Sequence, residues 1–305
     1  MKLFYTDHFE LPLPTGHRFP MAKYRQLRDR VVSDAFFHKD VLLVPPAATF
    51  EQLTLAHDID YVERVMEGKL SAAEIKRIGF PWSPAMVERS QRSSGATLVA
   101  ARFAMDDGVA VNMAGGTHHA MRDAGEGFCV FNDAAVAILT LLSESKIRRA
   151  VVIDCDVHQG NGTAQIFAER DDVFTFSIHG EKNFPIRKSP SDMDIDLPDG
   201  TPDETYLRVL GEALEQVLCH GPFDLAIYLA GADPFEGDRL GRLKLTKNGL
   251  AARDALVLSE LMARRIPVAV AMAGGYAQSI GDIVDIHAQT IRIASEYAAL
   301  QSRQL

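Results

Sequence analysis

The sequence is poor in cysteine and has no long apolar run. It contains three cysteines, Cys129, Cys155 and Cys219, and no Cys-x-x-Cys pair. This pattern argues against a disulfide framework or a cysteine-rich zinc site and fits a reducing compartment. Apolar runs such as 266–275 are too short to span a bilayer, and the N-terminal MKLFYTDHFE reaches charged residues before any signal-peptide core. We therefore expect a cytoplasmic protein with no membrane segment.

Basic residues are outnumbered by acidic ones. The chain has 32 Lys and Arg against 41 Asp and Glu, which gives a net charge of −9 and a pI near 5.6. This charge argues against nucleic-acid or anionic-membrane partners and is compatible with cationic substrates, although solubility alone would explain it. A chain of 305 residues can bury a core without a structural metal, so any metal is expected to serve chemistry.

Repeats, low-complexity tracts and Gly/Ser linkers are also lacking, so we predict one domain over residues 1–305. Short apolar runs rich in Val and Ile predict buried strands at 2–5, 41–44, 109–113, 150–155, 173–178, 224–229 and 267–273. The clearest predicted helices are 84–105, 131–145, 203–219, 246–264 and 279–299. The 45–105 segment as a whole is predicted to be mostly helical, as an insertion or a flanking layer. This alternation predicts an α/β fold with a parallel, doubly wound sheet.

Polar or glycine-rich motifs follow five of the predicted strands. In chain order they are GGTHHA, DCDVHQGNG, SIHGEKNF, AGADPFEGD and GGY. The carboxyl ends of parallel strands lie at one edge of a sheet, which is where the sites of open α/β proteins form. The sequence therefore predicts one composite site at this edge.

Two aspartates and a histidine are the candidate metal ligands. Side chains alternate along a strand, so Asp154, Asp156 and His158 share one side, and Asp233 adds a carboxylate in the same layer. Such a buried set is costly unless a divalent cation compensates it. Asp156, His158 and Asp233 would leave open positions, as in a catalytic zinc site, and ferrous iron also suits these ligands. The alternative is a loop of capping acids with a structural histidine.

Two adjacent histidines and a tyrosine are the candidate proton-transfer and oxyanion groups. His118 and His119 point in different directions, so one can be held by a buried carboxylate such as Asp154 while the other acts as general base and acid. Tyr276 follows two glycines and can place its hydroxyl on a developing oxyanion. Structural histidines and ordinary packing of the tyrosine are the competing interpretations.

Five motifs, taken in order, resemble the classical zinc-dependent histone deacetylase superfamily. They are GGTHHA, GFCVFND, DCDVHQGNG, GADPFEGD and AGGY, and the resemblance covers about residues 3–295. The segment DRLGRLKLTKNGLAARD, together with QGN, looks closest to the class IV branch and its bacterial relatives. The resemblance implies an arginase/deacetylase-like α/β fold, with a mainly parallel sheet of about eight strands flanked by helices.

The resemblance also implies roles for the matching residues. These are Asp156, His158 and Asp233 as zinc ligands, His118 as a buried histidine paired with Asp154, His119 as general base and acid, and Tyr276 as the transition-state tyrosine. The matching substrate-binding positions are Gly127, Phe128, Phe184 and Gly275, and those of a monovalent cation such as potassium are Asp154, Asp156, His158, Ser177 and Ile178.

Asn161 departs from the family's commonest pattern. The histidine that acts as general base is often backed by an aspartate, whereas Asn161 stands at that place here, as in the class IV branch. A neutral partner stabilises imidazolium less, so the pKa of His119 is expected to be lower. The sequence also shows no clear match for the rim aspartate with which some branches hold the substrate backbone.

The resemblance implies a zinc-dependent amidohydrolase that removes acetyl or longer acyl groups from lysine side chains. The alternative within the same chemistry is a deacetylase of acetylpolyamines or related N-acyl amines, which acidic residues at the rim would favour. An arginase-like binuclear ureohydrolase is disfavoured, because no second acid stands two residues after Asp233. A binding module without activity is disfavoured because all residues of the catalytic type are present.

Overall fold

A computed structural model describes residues 1–301 of the chain. Over that range eight strands form one sheet in the order β2-β1-β3-β8-β7-β4-β5-β6, and every neighbouring pair is parallel. The strands are β1 (Lys2–Phe4), β2 (Val41–Leu43), β3 (Val109–Asn112), β4 (Ala150–Asp154), β5 (Val173–Gly180), β6 (Met193–Leu197), β7 (Leu225–Leu229) and β8 (Val268–Ala271).

Helices connect the strands and cover both faces of the sheet. In the described residues the α-helices are α1 (Ala22–Ser33), α2 (Phe50–Ala56), α3 (Ile59–Glu67), α4 (Ala72–Ile78), α5 (Pro84–Asp107), α6 (Asp133–Ser143), α7 (Asn161–Phe167), α8 (Asp203–Cys219), α9 (Lys247–Ala263) and α10 (Ile280–Gln301). A 3-10 helix, Ala35–Lys39, follows α1. Across residues 1–301 none of these helices has the length and apolar character to cross a bilayer.

Two apolar cores lie on opposite faces of the sheet. Alternate side chains of β4 enter different cores: Val151 and Ile153 join the one covered by α1, α8, α9 and α10, and Ala150 and Val152 join the one covered by α2, α3, α5 and α6. Burial on both faces explains why this strand reads as a continuous apolar run. The predicted doubly wound α/β architecture is therefore confirmed, with a sheet that is parallel throughout.

Strand β6 was not predicted from the apolar runs in the sequence. Strand β6 has the sequence MDIDL, lies at the edge of the sheet and is mostly half-buried or exposed. An edge strand needs apolar residues on one face only, so apolar and polar residues alternate along it. A search for continuous apolar runs does not detect such a strand. The other seven strands overlap the predicted ones, and the 45–105 segment is mostly helical as expected.

The four central strands position the site. Strands β3, β8, β7 and β4 are neighbours, so their carboxyl ends lie side by side. The GGTHHA, AGGY, AGADPFEGD and DCDVHQGNG segments leave the sheet there in that order. The strand order thus brings together segments up to about half the chain apart.

Candidate active site

A cluster of two aspartates and a histidine lies at the ends of β4 and β7. Asp156 and His158 follow β4, Asp233 follows β7, and all three are buried. One potential ligand atom from each lies within 4.8 Å of the others. The His158 Nδ1 atom lies 3.0 Å from Asp156 Oδ1 and 3.3 Å from Asp233 Oδ2. The structure therefore brings together the three residues predicted to bind a metal.

The chemistry of this cluster fits a divalent cation. Asp233 Oδ2 is buried and has no hydrogen-bond partner among the residues that the structure describes, although the His158 Nδ1 atom lies 3.3 Å away. Burial and the neighbouring Asp156 carboxylate raise the pKa of Asp233 to about 7. Two carboxylates in so dry a site are costly to keep ionised without a cation between them. Three protein ligands would leave coordination positions for water and substrate.

Gly274 allows the loop after β8 to pass close to the cluster. Its backbone N–H donates a 2.8 Å hydrogen bond to Asp156 Oδ2. A Cβ atom at this position would collide with Asp233 Oδ2 and would come within 2.5 Å of Asp156 Oδ2. The glycine is therefore needed for the backbone to hold a carboxylate oxygen in place.

His118 is paired with a buried aspartate. Its Nδ1 lies 2.6 Å from Asp154 Oδ2, and its Nε2 lies 3.8 Å from Asp156 Oδ1. Burial by itself would lower the pKa of His118, but the Asp154 and Asp156 carboxylates outweigh it and raise the pKa to about 9. The two carboxylates therefore favour the protonated form of the ring, with Nδ1 donating to Asp154.

His119 has a neutral partner. Its Nδ1 lies 2.7 Å from Asn161 Oδ1, an atom that can only accept, so Nδ1 carries the proton and Nε2 is left as the acceptor. The Asn161 amide nitrogen donates to Glu126 Oε2 at 3.5 Å, which agrees with this orientation. Burial, followed by the nearby His118 and His158, holds the pKa of His119 well below its ordinary value. A lowered pKa favours the neutral ring, with Nε2 available as an acceptor.

Tyr276 is held by its backbone at the edge of the cluster. Its N–H donates to Asp238 Oδ2 at 2.6 Å, and its carbonyl accepts from Arg239 Nε at 2.9 Å. Burial, together with the Asp156 and Asp233 carboxylates, raises the pKa of the Tyr276 phenol well above its ordinary value. The hydroxyl therefore stays protonated and can donate a hydrogen bond.

Aromatic side chains line the approach to these groups. The Phe128 and Tyr276 rings lie 5.9 Å apart, and the Phe184 ring meets His119 edge-on at 4.9 Å. A Cβ atom at Gly127 would lie 2.7 Å from the His119 ring, so the glycine lets its loop pass close to that ring. A cavity of about 50 Å³ next to the cluster of Asp156, His158 and Asp233 is lined in part by Gly127, Phe128 and Tyr276. An extended aliphatic chain fits such a passage.

Gly275 is placed differently from the other predicted substrate-binding residues. It is Gly274 that lines the cavity at the cluster, whereas Gly275 is buried behind it. A Cβ atom at Gly275 would press on Ile283 and Ala232, at 2.9 and 3.1 Å. Its φ of +147° and this close packing assign it to the turn that presents Tyr276.

Three of the residues predicted to hold a monovalent cation lie in adjacent strands, and the other two, Asp156 and His158, follow the first of these strands. Asp154 at the end of β4 is paired in register with Ser177 of β5, and Ile178 follows it. All three are buried. Both Asp154 carboxylate oxygens already accept hydrogen bonds, Oδ1 from the Asp156 N–H and Oδ2 from His118.

Comparison with known proteins identifies the family. A sequence-family model described as the histone deacetylase domain matches residues 17–291 of this chain. The chain belongs to the histone deacetylase family. The resemblance predicted from the five motifs is thereby confirmed, and membership of this family supports a deacetylase activity.

Similar proteins and a solved structure match nearly the whole chain. An uncharacterized protein of Picosynechococcus sp. is 42% identical over 292 residues, 96% of this chain and 97% of its own length. Histone deacetylase 2 of Arabidopsis thaliana is 29% identical, over 94% of this chain and 76% of its own. The crystal structure of the HDA15 HD domain matches with a TM-score of 0.82 at 20% identity, covering 99% of this chain and 93% of that one. The arginase/deacetylase-like fold is therefore confirmed.

Sequence reasoning missed Asp133, which holds the loop that carries the two histidines. The buried Asp133 carboxylate accepts from the Gly116 N–H at 2.9 Å, and from the Thr117 N–H and hydroxyl, both at 2.7 Å. It lies in the first turn of α6, behind the N-cap Asn132. The available signal was an aspartate at the end of the GFCVFND motif and at the start of an apolar helix. A buried acid in such a helix needs several hydrogen-bond donors nearby, which indicates a structural role.

Arg253 was also missed, and it ties the two ligand-bearing loops together. Its fully buried guanidinium donates to the carbonyl of Gly231 at 2.6 Å and to that of Cys155 at 3.2 Å, next to the segments that carry the candidate ligands Asp233 and Asp156. Asp254 balances its charge at 2.8 Å. The Arg-Asp pair in the apolar pattern of α9 was the only signal in the sequence, and it does not reveal which carbonyls the arginine reaches.

A wider cavity of about 460 Å³ lies outside the narrow passage, and its wall includes His119, His158 and Tyr276. We call it the mouth cavity. Its charged lining residues, apart from His119 and His158, are Arg18, Arg77, Glu126, Lys182 and Arg242. The mouth therefore carries more positive than negative side chains, in a chain whose net charge is −9.

Proposed function

We propose that this protein is a zinc-dependent deacylase that removes acetyl or longer acyl groups from lysine side chains. The observation that carries the proposal is the buried cluster of Asp156, His158 and Asp233, with His119 and Tyr276 beside it at the end of an aromatic-lined passage. Three acidic or imidazole ligands, a neutral histidine base and a protonated phenol are the groups that metal-assisted amide hydrolysis requires.

Each side chain has a separate task in this chemistry. Zinc held by Asp156, His158 and Asp233 would supply a Lewis acid that polarises the acyl carbonyl and lowers the pKa of a water molecule. The unprotonated Nε2 of His119 takes the proton from the attacking water and then gives it to the leaving amine. The Tyr276 hydroxyl donates a hydrogen bond to the oxygen that becomes negatively charged.

His118 has a supporting task rather than that of the base. Its pKa is raised by Asp154 and Asp156, so its proton stays in place at neutral pH. The resulting positive charge beside His119 disfavours a second imidazolium there, which keeps His119 ready to accept a proton. A monovalent cation such as potassium at Asp154, Asp156, His158, Ser177 and Ile178 would add to the rigidity of this side of the site, and it is part of the proposal.

The mouth cavity favours acyl-lysine over an acetylpolyamine. Acetylpolyamines keep one or more ammonium groups after acylation, and these would have to pass Arg18, Arg77, Lys182 and Arg242. Like charges at a binding site lower affinity and the rate of association. An acyl-lysine buries its uncharged amide in the passage and leaves its backbone at the mouth.

A metal-defined activity screen tests the proposal. Protein stripped with a chelator and reloaded with zinc, iron(II) or manganese should hydrolyse acetyl-, medium- and long-chain acyl-lysine peptides only after metal is returned. Acetylpolyamines serve as the competing substrates, and metal content is measured on the same samples. Stripped protein that is fully active, or metal-loaded protein that releases acid from acetylpolyamines alone, would contradict the proposal.

Asn161→Asp should move the acidic limb of the pH–rate profile to higher pH. A carboxylate beside His119 Nδ1 would stabilise the imidazolium and raise the pKa of His119, so more of the base would be protonated at a given pH. We expect the limb in kcat/KM to shift up by about one pH unit or more relative to the wild type.

The control for this prediction is the same substitution at an exposed asparagine. Asn248→Asp on α9 adds the same charge outside the residues that line either cavity, and should leave the limb unchanged. Superimposable profiles for wild type and Asn161→Asp would show that His119 is not the group that titrates in the rate.

A further inference from the structure

Four cations from distant parts of the chain meet at the mouth cavity. Arg18 precedes α1, Arg77 lies in the last turn of α4, Lys182 follows β5, and Arg242 follows β7. All four side chains are exposed, so they lie in solvent at the opening rather than in the core. These four residues are far apart in the sequence, so it is the fold that brings them together.

Most of this positive charge is not balanced within the protein. Arg242 pairs with Asp199 at 3.1 Å. Among the residues that the structure describes, no acidic side chain pairs with Arg18, Arg77 or Lys182. Glu126, the one acid in the lining, is half-buried and accepts from the Asn161 amide at 3.5 Å. Three cations are therefore free to meet charges that a ligand brings.

The cations face the part of a substrate that stays outside the passage. The mouth cavity shares Gly127, Phe128 and Tyr276 with the narrow cavity at the metal cluster, so the two are continuous. A lysine side chain that reaches the cluster leaves its own backbone, and the residues on either side of it, in the mouth. Those flanking residues are the groups that Arg18, Arg77 and Lys182 would contact.

We propose that the mouth cavity selects acyl-lysine peptides with aspartate or glutamate next to the modified lysine. This inference rests on the proposed deacylase function and adds a sequence preference to it. Carboxylates are the anions that protein side chains supply, and Arg77 and Arg18 can bind them through two parallel hydrogen bonds. Because the acidic remainder of the surface repels such peptides, the positive mouth also steers them to the opening.

The test compares peptides that differ only in the residues flanking acetyl-lysine. With zinc-loaded protein we expect kcat/KM to rank acidic above neutral above basic flanks, with about a tenfold span at low salt. The span should shrink strongly at about 0.5 M salt, because exposed charges are screened. Arg77→Glu should lower the ratio of the acidic to the neutral peptide by about fivefold.

Lys76→Glu is the matched control. Lys76 and Arg77 are adjacent, exposed and in the same last turn of α4, but only Arg77 lines the mouth cavity. Lys76→Glu should keep the wild-type ratio and the wild-type rate with the neutral peptide. Equal rates for acidic and basic peptides in the wild type, or an equal loss in both variants, would overturn the inference.

A binding measurement separates this inference from the proposed function. Fluorescence anisotropy of labelled acetyl-lysine peptides is measured on zinc-loaded His119→Ala protein, in which turnover is suppressed. We expect the acidic peptide to bind more tightly than the neutral one, and this difference to disappear in the His119→Ala, Arg77→Glu double variant. That result supports the preference of the mouth cavity for acidic peptides even if the wild type cleaves no peptide. Cleavage of all peptides with no difference in rate or binding would leave the deacylase intact and remove the preference.

Discussion

His119→Ala is expected to lower kcat by about 10²- to 10⁴-fold without unfolding the protein, because it removes the general base and acid. The geometry supports a large effect, since Asn161 fixes the Nδ1 proton and leaves Nε2 as the acceptor. The low pKa of the ring keeps that acceptor unprotonated near neutral pH. Truncation leaves space for water but no positioned group to replace the imidazole.

Steady-state kinetics with an acetyl-lysine peptide, together with zinc content and thermal unfolding, measures this effect. His38→Ala is the matched control, because His38 is exposed on the 3-10 helix after α1 and lines neither cavity. The control should behave as the wild type in all three measurements. A His119→Ala protein that keeps its metal and works at the wild-type rate would assign the proton transfer to another group.

Tyr276→Phe is expected to lower kcat by about 10²- to 10³-fold, with a smaller effect on KM, because the lost hydrogen bond acts mainly on the developing oxyanion. The substitution removes one oxygen and leaves the ring, which packs against Phe19 and Phe128. The backbone N–H of residue 276 donates to Asp238 and its carbonyl accepts from Arg239, so the turn should remain.

The measurement for Tyr276 is the separation of kcat from KM. Tyr5→Phe provides the control, since it removes a hydroxyl from a half-buried tyrosine that lines neither cavity. It should change neither constant. If Tyr276→Phe raised KM while kcat stayed at the wild-type value, the hydroxyl would be binding the substrate rather than stabilising the transition state.

Local sequence patterns were sufficient to predict where the chemistry lies. The strands that carry the site are buried on both faces, so each reads as a short apolar run with polar residues directly after it. Parallel strands place those ends at one edge, which brought the Asp156 and His158 segment beside Asp233 by topology alone. The edge strand β6 was missed because it is apolar on one face only.

The sequence by itself determined the α/β class through its alternating strands and helices. It also predicted the candidate metal ligands, the histidine pair and the tyrosine, because each of these lies among a few adjacent residues after a strand. The tertiary structure alone decided how these groups are held and what the opening presents to a substrate. Asp133, Asp238 and Arg253 act on backbone groups far away in the chain, and the mouth gathers cations from four separate segments. Such contacts depend on how distant loops pack, which no local spacing encodes.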